Sequence, residues 1–303
     1  MQIVAFREAA NIAVATDNTK SFYPTMNKIL SDRYLQTGEH DPLFADFSGR
    51  DHLDSMRRGH RILAEALVAE VHSRAPGEAA EVPTSFPTDI RAFARQRIEP
   101  MVHGLFRQAD RESVTTLLAN SVVFIIPDTV DSLIEREDLH SAWLIANLYL
   151  RSIGRDAISE QAPPIVGFSV GTTCYVSLAY FRKNAESTFS DYVVHEAAHI
   201  FHNARRREAG LAGKKEDDWI LPIDFSMRET FAYACEAYSR ICELARGPQA
   251  RRAVLEKLKQ LKPPTDERVN ADEYFELLTQ AVNRGNGWKA ILEGCSEQRS
   301  GSS

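Results

Sequence analysis

Asp191-Tyr192-Val193-Val194-His195-Glu196-Ala197-Ala198-His199-Ile200-Phe201-His202 is the stretch on which the reading of this chain turns. On a helix of 3.6 residues per turn, His195 and His199 lie about 40° apart and roughly 6 Å along the axis, so both imidazoles reach one ion. His-Glu-x-x-His on a helix is a two-legged zinc clamp. Glu196, beside the first ligand, leans over the open side of such a metal, where it can take a proton from water and pass it to a leaving amine. The remaining positions are mostly apolar, as a helix buried on one side requires, and Thr188-x-x-Asp191 reads as a capping box that opens it. Two histidines with a merely structural role are the plain alternative. That alternative leaves Glu196 as an unpaired carboxylate among apolar neighbours, which is costly.

Around this stretch the composition is that of a globular protein. The 303 residues are 44% hydrophobic and 26% charged, enough for one large or two modest domains. A net charge of −6 offers no field for a phosphate backbone, and Arg205-Arg206-Arg207 reads as cations closing the C-terminal end of the metal helix, so no nucleic-acid partner is expected. No run approaches the roughly 18 apolar residues of a membrane span, and the N-terminus lacks a basic start followed by an apolar segment, so no membrane partner and a cytoplasmic location are expected. Cys174, Cys235, Cys242 and Cys295 form no C-x-x-C pair and are expected as reduced thiols.

The periodicity predicts a predominantly helical α+β fold. Helical segments are expected at 2–15, 21–36, 53–74 and 88–119, with the Pro-rich stretch near 75–88 as a linker. These form a helical N-terminal region over 1–120, in which His60 and His72 read as structural or exposed. Residues 121–303 are expected as a zincin-like catalytic domain with C-terminal helices. Within it Val122 to Pro127, Pro164 to Val170 and Thr172 to Tyr180 read as strands and 131–153 as one long helix closed by Gly154. A small mixed sheet would then pack on the metal helix, with Thr173 to Leu178 as the candidate edge strand beside the metal, where a peptide can add a strand. The polar, glycine-containing 209–218 reads as a mobile loop, 226–246, 248–261 and 270–292 as helices, and 296–303 as a disordered tail.

A catalytic zinc needs a third protein ligand and one position left for water. The metzincin pattern would require glycine at 202 and histidine at 205, where this chain has His202 and Arg205. Downstream, Ser226-Met227-Arg228-Glu229-Thr230-Phe231-Ala232-Tyr233-Ala234-Cys235-Glu236 places two glutamates seven apart on nearly one helix face. One can ligate while the other accepts a proton from a ligand histidine. Glu229 has the alternative of closing a Ser226-x-x-Glu229 capping box, and Glu236 that of a surface carboxylate. Glu243 continues the spacing and is expected to be solvated.

His195-Glu196-x-x-His199 followed 30 residues later by Glu229-x-Phe231-Ala232-x-x-x-Glu236-x-Tyr238 resembles the gluzincin metallopeptidases, especially the group that contains lethal factor and the Mlc titration factor. The resemblance covers about residues 170–245. It implies a zinc peptidase acting on a peptide or protein substrate, with Glu229 as the third ligand and Glu196 as catalytic base. Lethal factor places a tyrosine shortly before its ligand glutamate to steady the oxyanion, whereas residues 219–225 here contain none. Tyr233, one turn after Glu229, can stand in for it, or be an aromatic of the core. His202, three residues after His199, can bind substrate, support a ligand, or be satisfied by a backbone carbonyl. Two other readings remain at this level: a regulatory binding protein with a zincin-like domain, and a zinc hydrolase of a non-peptide amide.

Overall fold

The structure, a computed structural model, describes residues 19–75, 86–180, 187–211 and 217–296. The expected helix at 2–15, most of the Pro-rich stretch, residues 212–216 of the glycine-containing loop, and the tail after 296 lie outside the described residues. Within them the chain forms α1 (Thr19–Thr37), α2 (His52–Arg74), α3 (Ile90–Leu105), α4 (Gln108–Ser121), β1 (Val122–Ile125), α5 (Val130–Arg136), α6 (Leu139–Ser152), β2 (Gly167–Val170) and β3 (Thr173–Ser177). The helix of the His-Glu-x-x-His stretch, α7 (Tyr192–Asn203), follows, then α8 (Arg228–Leu244), α9 (Pro248–Lys259), α10 (Ala271–Asn283) and α11 (Gly287–Cys295). The fold is thus α+β and mostly helical, with one small mixed sheet.

Three expected long helices are each two. The segment 88–119 breaks at Phe106-Arg107, 131–153 at Glu137-Asp138 and 270–292 at Arg284 to Asn286. In the last two the interrupting residue caps the second helix: Asp138 accepts from the His140 and Ser141 amides, and Asn286 from that of Lys289. A capped start competes with continuing the helix, and apolar periodicity alone does not register that competition.

The strand order is β1-β3-β2, with β3 parallel to β1 and antiparallel to β2. The expectation of an edge strand at Thr173 to Leu178 is therefore corrected. Both sides of β3 are hydrogen-bonded, because the β2–β3 hairpin closes at Gly171 (φ 57°) and β1 takes the other side. β2 is an edge strand among the described residues.

Alternation along the strands divides the interior in two. Val122, Phe124, Cys174 and Val176 face a core shared with α3, α4, α7, α8, α10 and α11. Ile125 and Tyr175, with Val123 and Phe168, face a second core built by α2, α5 and α6. α3 and α4 thus line the interior beneath the helix that bears His195 and His199.

α7 begins three residues later than the sequence suggested. Asp191, not Thr188, is the N-cap, its side chain accepting from the Val194 amide. At the far end α7 stops at Asn203, and the arginine run does not cap it. Arg205 stacks over Trp219 at 3.5 Å and donates to the Asp217 carbonyl, Arg206 donates to the Ile220 carbonyl, and Arg207 pairs with Asp217. These cations tie down residues 217–220 instead.

Candidate metal centre

α7 and α8 lie side by side, and the glutamates of α8 meet the histidines of α7 between them. The His195 and His199 Nε2 atoms are 3.2 Å apart. The Glu229 Oε2 lies 3.6 Å from His199 Nε2 and 3.9 Å from His195 Nε2. Ligand atoms on a tetrahedral zinc at about 2.0–2.1 Å are separated by about 3.3 Å, so the triangle fits an ion once the Glu229 oxygen moves in by roughly half an ångström. Among the described residues this is the one histidine, cysteine and carboxylate group able to hold a metal ion. Glu229 sits in the first turn of α8 and makes no capping contact; the short turn before it is capped by Asp224.

The groups behind the ligands set their orientation. Glu236 Oε2 lies 3.2 Å from His195 Nδ1, and Glu236 Oε1 accepts the Asp191 amide at 2.6 Å. His202 Nε2 lies 3.3 Å from His199 Nδ1. Each ring thus has its Nδ1 engaged and its Nε2 turned toward the cluster, the orientation a metal ligand needs. On the outer side, Arg268 Nη1 takes Glu229 Oε1 at 2.8 Å, which leaves Oε2 for the histidines. Asp266 in turn holds Arg268 at 2.6 Å.

Burial and the arginines keep two of the imidazoles neutral. His199 is pushed down to about 2 by burial and by His195, His202 and the two arginines nearby. His202 falls to about 3 through burial and Arg228. For His195 burial also opposes the charged form, but Glu236, Glu196 and Glu229 outweigh it and the net direction is upward. Burial raises both Glu196, against the pull of His195, and Glu229, against His195 and Arg268.

The cluster opens into a cleft of about 660 Å³. Glu196 lines it with only 6% of its surface exposed and accepts a hydrogen bond from the Ser169 hydroxyl of β2. Ser169 reaches it because it stands opposite Cys174, on the face of the sheet turned toward α7. Tyr233 also lines the cleft, its ring 4.5 Å from that of His195. Burial, followed by Glu236, Asp266 and Glu229, pushes its phenol up to about 12.

Every residue singled out from the sequence, His195, Glu196, His199, His202, Glu229, Tyr233 and Glu236, lies in or directly behind this cleft. Four contributors were not singled out. Tyr192 stacks on His195 with ring centroids 5.6 Å apart, and its spacing of three residues before His195 signals that shared face. Ser169 was discoverable from strand alternation once the metal face of the sheet was known. Arg268 and Asp266 arrive from the loop before α10 and carry no local signal. Glu243 is exposed, as expected, and from there pairs with Arg97 at 3.1 Å and with Arg240. His60 and His72 are remote from the cleft and bond Glu137 and Asp131.

Comparison with protein families, curated proteins and solved structures finds no match to this chain. No helix among the described residues is long and apolar enough to cross a membrane.

Proposed function

We propose that the protein is a zinc-dependent peptidase of gluzincin type, related in its site to the lethal factor and Mlc titration factor group. The observation that carries this reading is the convergence of His195, His199 and Glu229 in one cleft with a buried carboxylate, Glu196. When bound there, zinc supplies a Lewis acid that polarises a carbonyl and brings the pKa of water toward about 7. A purely structural site has no use for a base beside an open position.

In this reading Glu196 takes a proton from the attacking water and returns it to the departing amine nitrogen. Burial suits it to both halves of the task, because a raised pKa makes the carboxylate a better base and the acid easier to regenerate. Ser169 fixes its orientation. Glu236 holds the His195 ring, and Arg268 confines Glu229 to one free oxygen. Tyr233, protonated throughout the physiological range, donates its hydroxyl hydrogen to the oxygen of the attacked carbonyl.

A peptide substrate suits the cleft because β2 borders it. Gly167, Phe168 and Ser169 line the wall, and the outer side of β2 carries no strand among the described residues. An extended peptide can pair with that edge and present its backbone to Glu196.

The test is cleavage of a mixed peptide library by the zinc-supplemented protein, with new termini read by mass spectrometry. Wild type is expected to cut and Glu196→Gln to bind zinc equally while losing about 10²–10⁴-fold in turnover. Wild-type turnover in Glu196→Gln removes Glu196 as the base. A zinc-loaded protein that leaves every peptide intact removes the peptidase reading.

A further inference from the structure

Asp191 is 0% exposed and caps α7. A neutral serine or asparagine would cap a helix there as well as aspartate does, without burying a charge. The charge needs another reason, and Arg97 of α3 supplies it. Arg97 Nε donates to Asp191 Oδ2 at 2.6 Å and Nη2 donates to the same oxygen, while Tyr180 donates its hydroxyl to Oδ1 at 3.0 Å. The carboxylate is clamped from both sides.

The clamp leads to the metal ligands in two further contacts. As an N-cap residue, Asp191 has an amide hydrogen that the helix does not use. That hydrogen goes to Glu236 Oε1 at 2.6 Å, and the other oxygen of Glu236 meets His195 Nδ1 at 3.2 Å. Arg97 also reaches α8 directly, Nη1 lying 3.1 Å from both oxygens of Glu243. One guanidinium, 16% exposed, therefore grips the start of the helix that bears His195 and His199 and the side of the helix that bears Glu229 and Glu236.

We propose that Arg97 is a positioning residue of the metal centre, acting on His195 through Asp191 and Glu236. The inference rests on the metal-centre reading above. A metal site holds its ligands only to the precision of the groups behind them, and a fork of three donors on a fixed plane is a stiff support. Without Arg97, Asp191 is a buried carboxylate with no cation beside it. It then draws in water or a proton, the first turn of α7 shifts, and Glu236 no longer presents a fixed oxygen to His195.

The experiment measures zinc affinity by chelator competition in full-length wild type, Arg97→Met and Arg97→Lys, with the downfield His195 Nδ1 proton followed by NMR in the zinc-free proteins. Expected are a 10–100-fold weaker affinity in Arg97→Met, with the proton signal broadened by exchange, and an intermediate loss in Arg97→Lys, which keeps charge without the fork. In a double-mutant cycle Arg97→Met adds less than about twofold to the loss already caused by Glu236→Gln, because the effect passes through Glu236. Unchanged affinity and an unchanged proton signal in Arg97→Met overturn the proposal, as do independent, additive losses. If Arg97→Met fails to fold, Asp191→Asn, which keeps the cap, and Arg97→Lys carry the same measurements. A wild type that binds no zinc defeats the metal-centre reading instead, while the zinc-free NMR comparison still decides whether Arg97 orders His195.

Discussion

The two sides of the sheet are built to different rules. On the side of α2, α5 and α6 the interior is apolar, and its few buried polar groups are neutral: Ser152 and Asn147 bond carbonyls of their own helix, the Ser159 hydroxyl and amide bond the Gln36 carbonyl and the Asn147 side chain, and the Tyr34 hydroxyl bonds the Leu139 carbonyl. On the side of α7 and α8 the same small sheet faces Asp191, His195, Glu196, His202 and Glu236, all buried. Buried charge costs free energy unless it is paired and hydrogen-bonded, and here Asp191, His195, Glu196 and Glu236 each meet a group from a different element, while His202 meets His199 of its own helix. One side supplies stiffness from packing; the other places its polar groups where they set each other's positions and leave three ligand atoms facing inward.

The contrast is broken most severely from the metal side. Glu229→Ala is expected to lose stoichiometric zinc at micromolar free metal while circular dichroism stays that of the wild type, since the residue lines a cleft and caps nothing. Retention of tightly held zinc would move the third ligand elsewhere. On the other side Leu67, fully buried, tests the converse. Leu67→Ala is expected to cost about 2–5 kcal/mol in chemical denaturation and leave the zinc affinity of the folded protein unchanged. A parallel loss of affinity would mean that the two interiors are not separable.

Ser169→Ala probes the border between them. It removes the hydroxyl that holds Glu196, so kcat/KM should fall about tenfold, the worth of one hydrogen bond to a charged group, with zinc content intact. A fall in zinc content would show Ser169 supporting the ligands instead of the base.

The smallest effect belongs to Asp138, the cap of α6 on the apolar side. Partial burial opposes its charge, but the Ser141 hydroxyl and the Ser141 and His140 amides outweigh this and hold the carboxyl below its usual range. Stability from such a group is full above the ordinary carboxylate pKa and is lost as pH falls through the depressed one. Asp138→Ala should therefore cost about 1 kcal/mol at neutral pH, with the difference from wild type vanishing in acid. A difference that persists unchanged in acid would assign the effect to packing.

How much of this was legible beforehand follows the same division. The cluster was readable because its ligands lie on two helices whose internal spacing is regular: four residues for the histidines, seven for Glu229 and Glu236. The partners that arrive from other elements were not. Arg97 and Arg268 come from 98 residues before His195 and 39 residues after Glu229, and no period links them to their carboxylates. The helical character of the chain followed from apolar periodicity, but its breaks at Asp138 and Asn286 did not, because a cap is a single side chain in a pattern that otherwise continues. The order of the strands was equally hidden: β3 is central because it pairs with β2 across a hairpin and, parallel, with β1, from which α5, α6 and β2 separate it in the chain, and neither pairing is visible in the strand itself.

The central claim is that an ion sits between His195, His199 and Glu229 with room left for solvent. Anomalous diffraction at the zinc edge from zinc-loaded crystals tests it directly. The account predicts one peak at about 2.0–2.2 Å from the Nε2 atoms of His195 and His199 and from Glu229 Oε2, with no fourth protein atom in the shell. A peak elsewhere, or a fourth protein ligand closing the position, would contradict it.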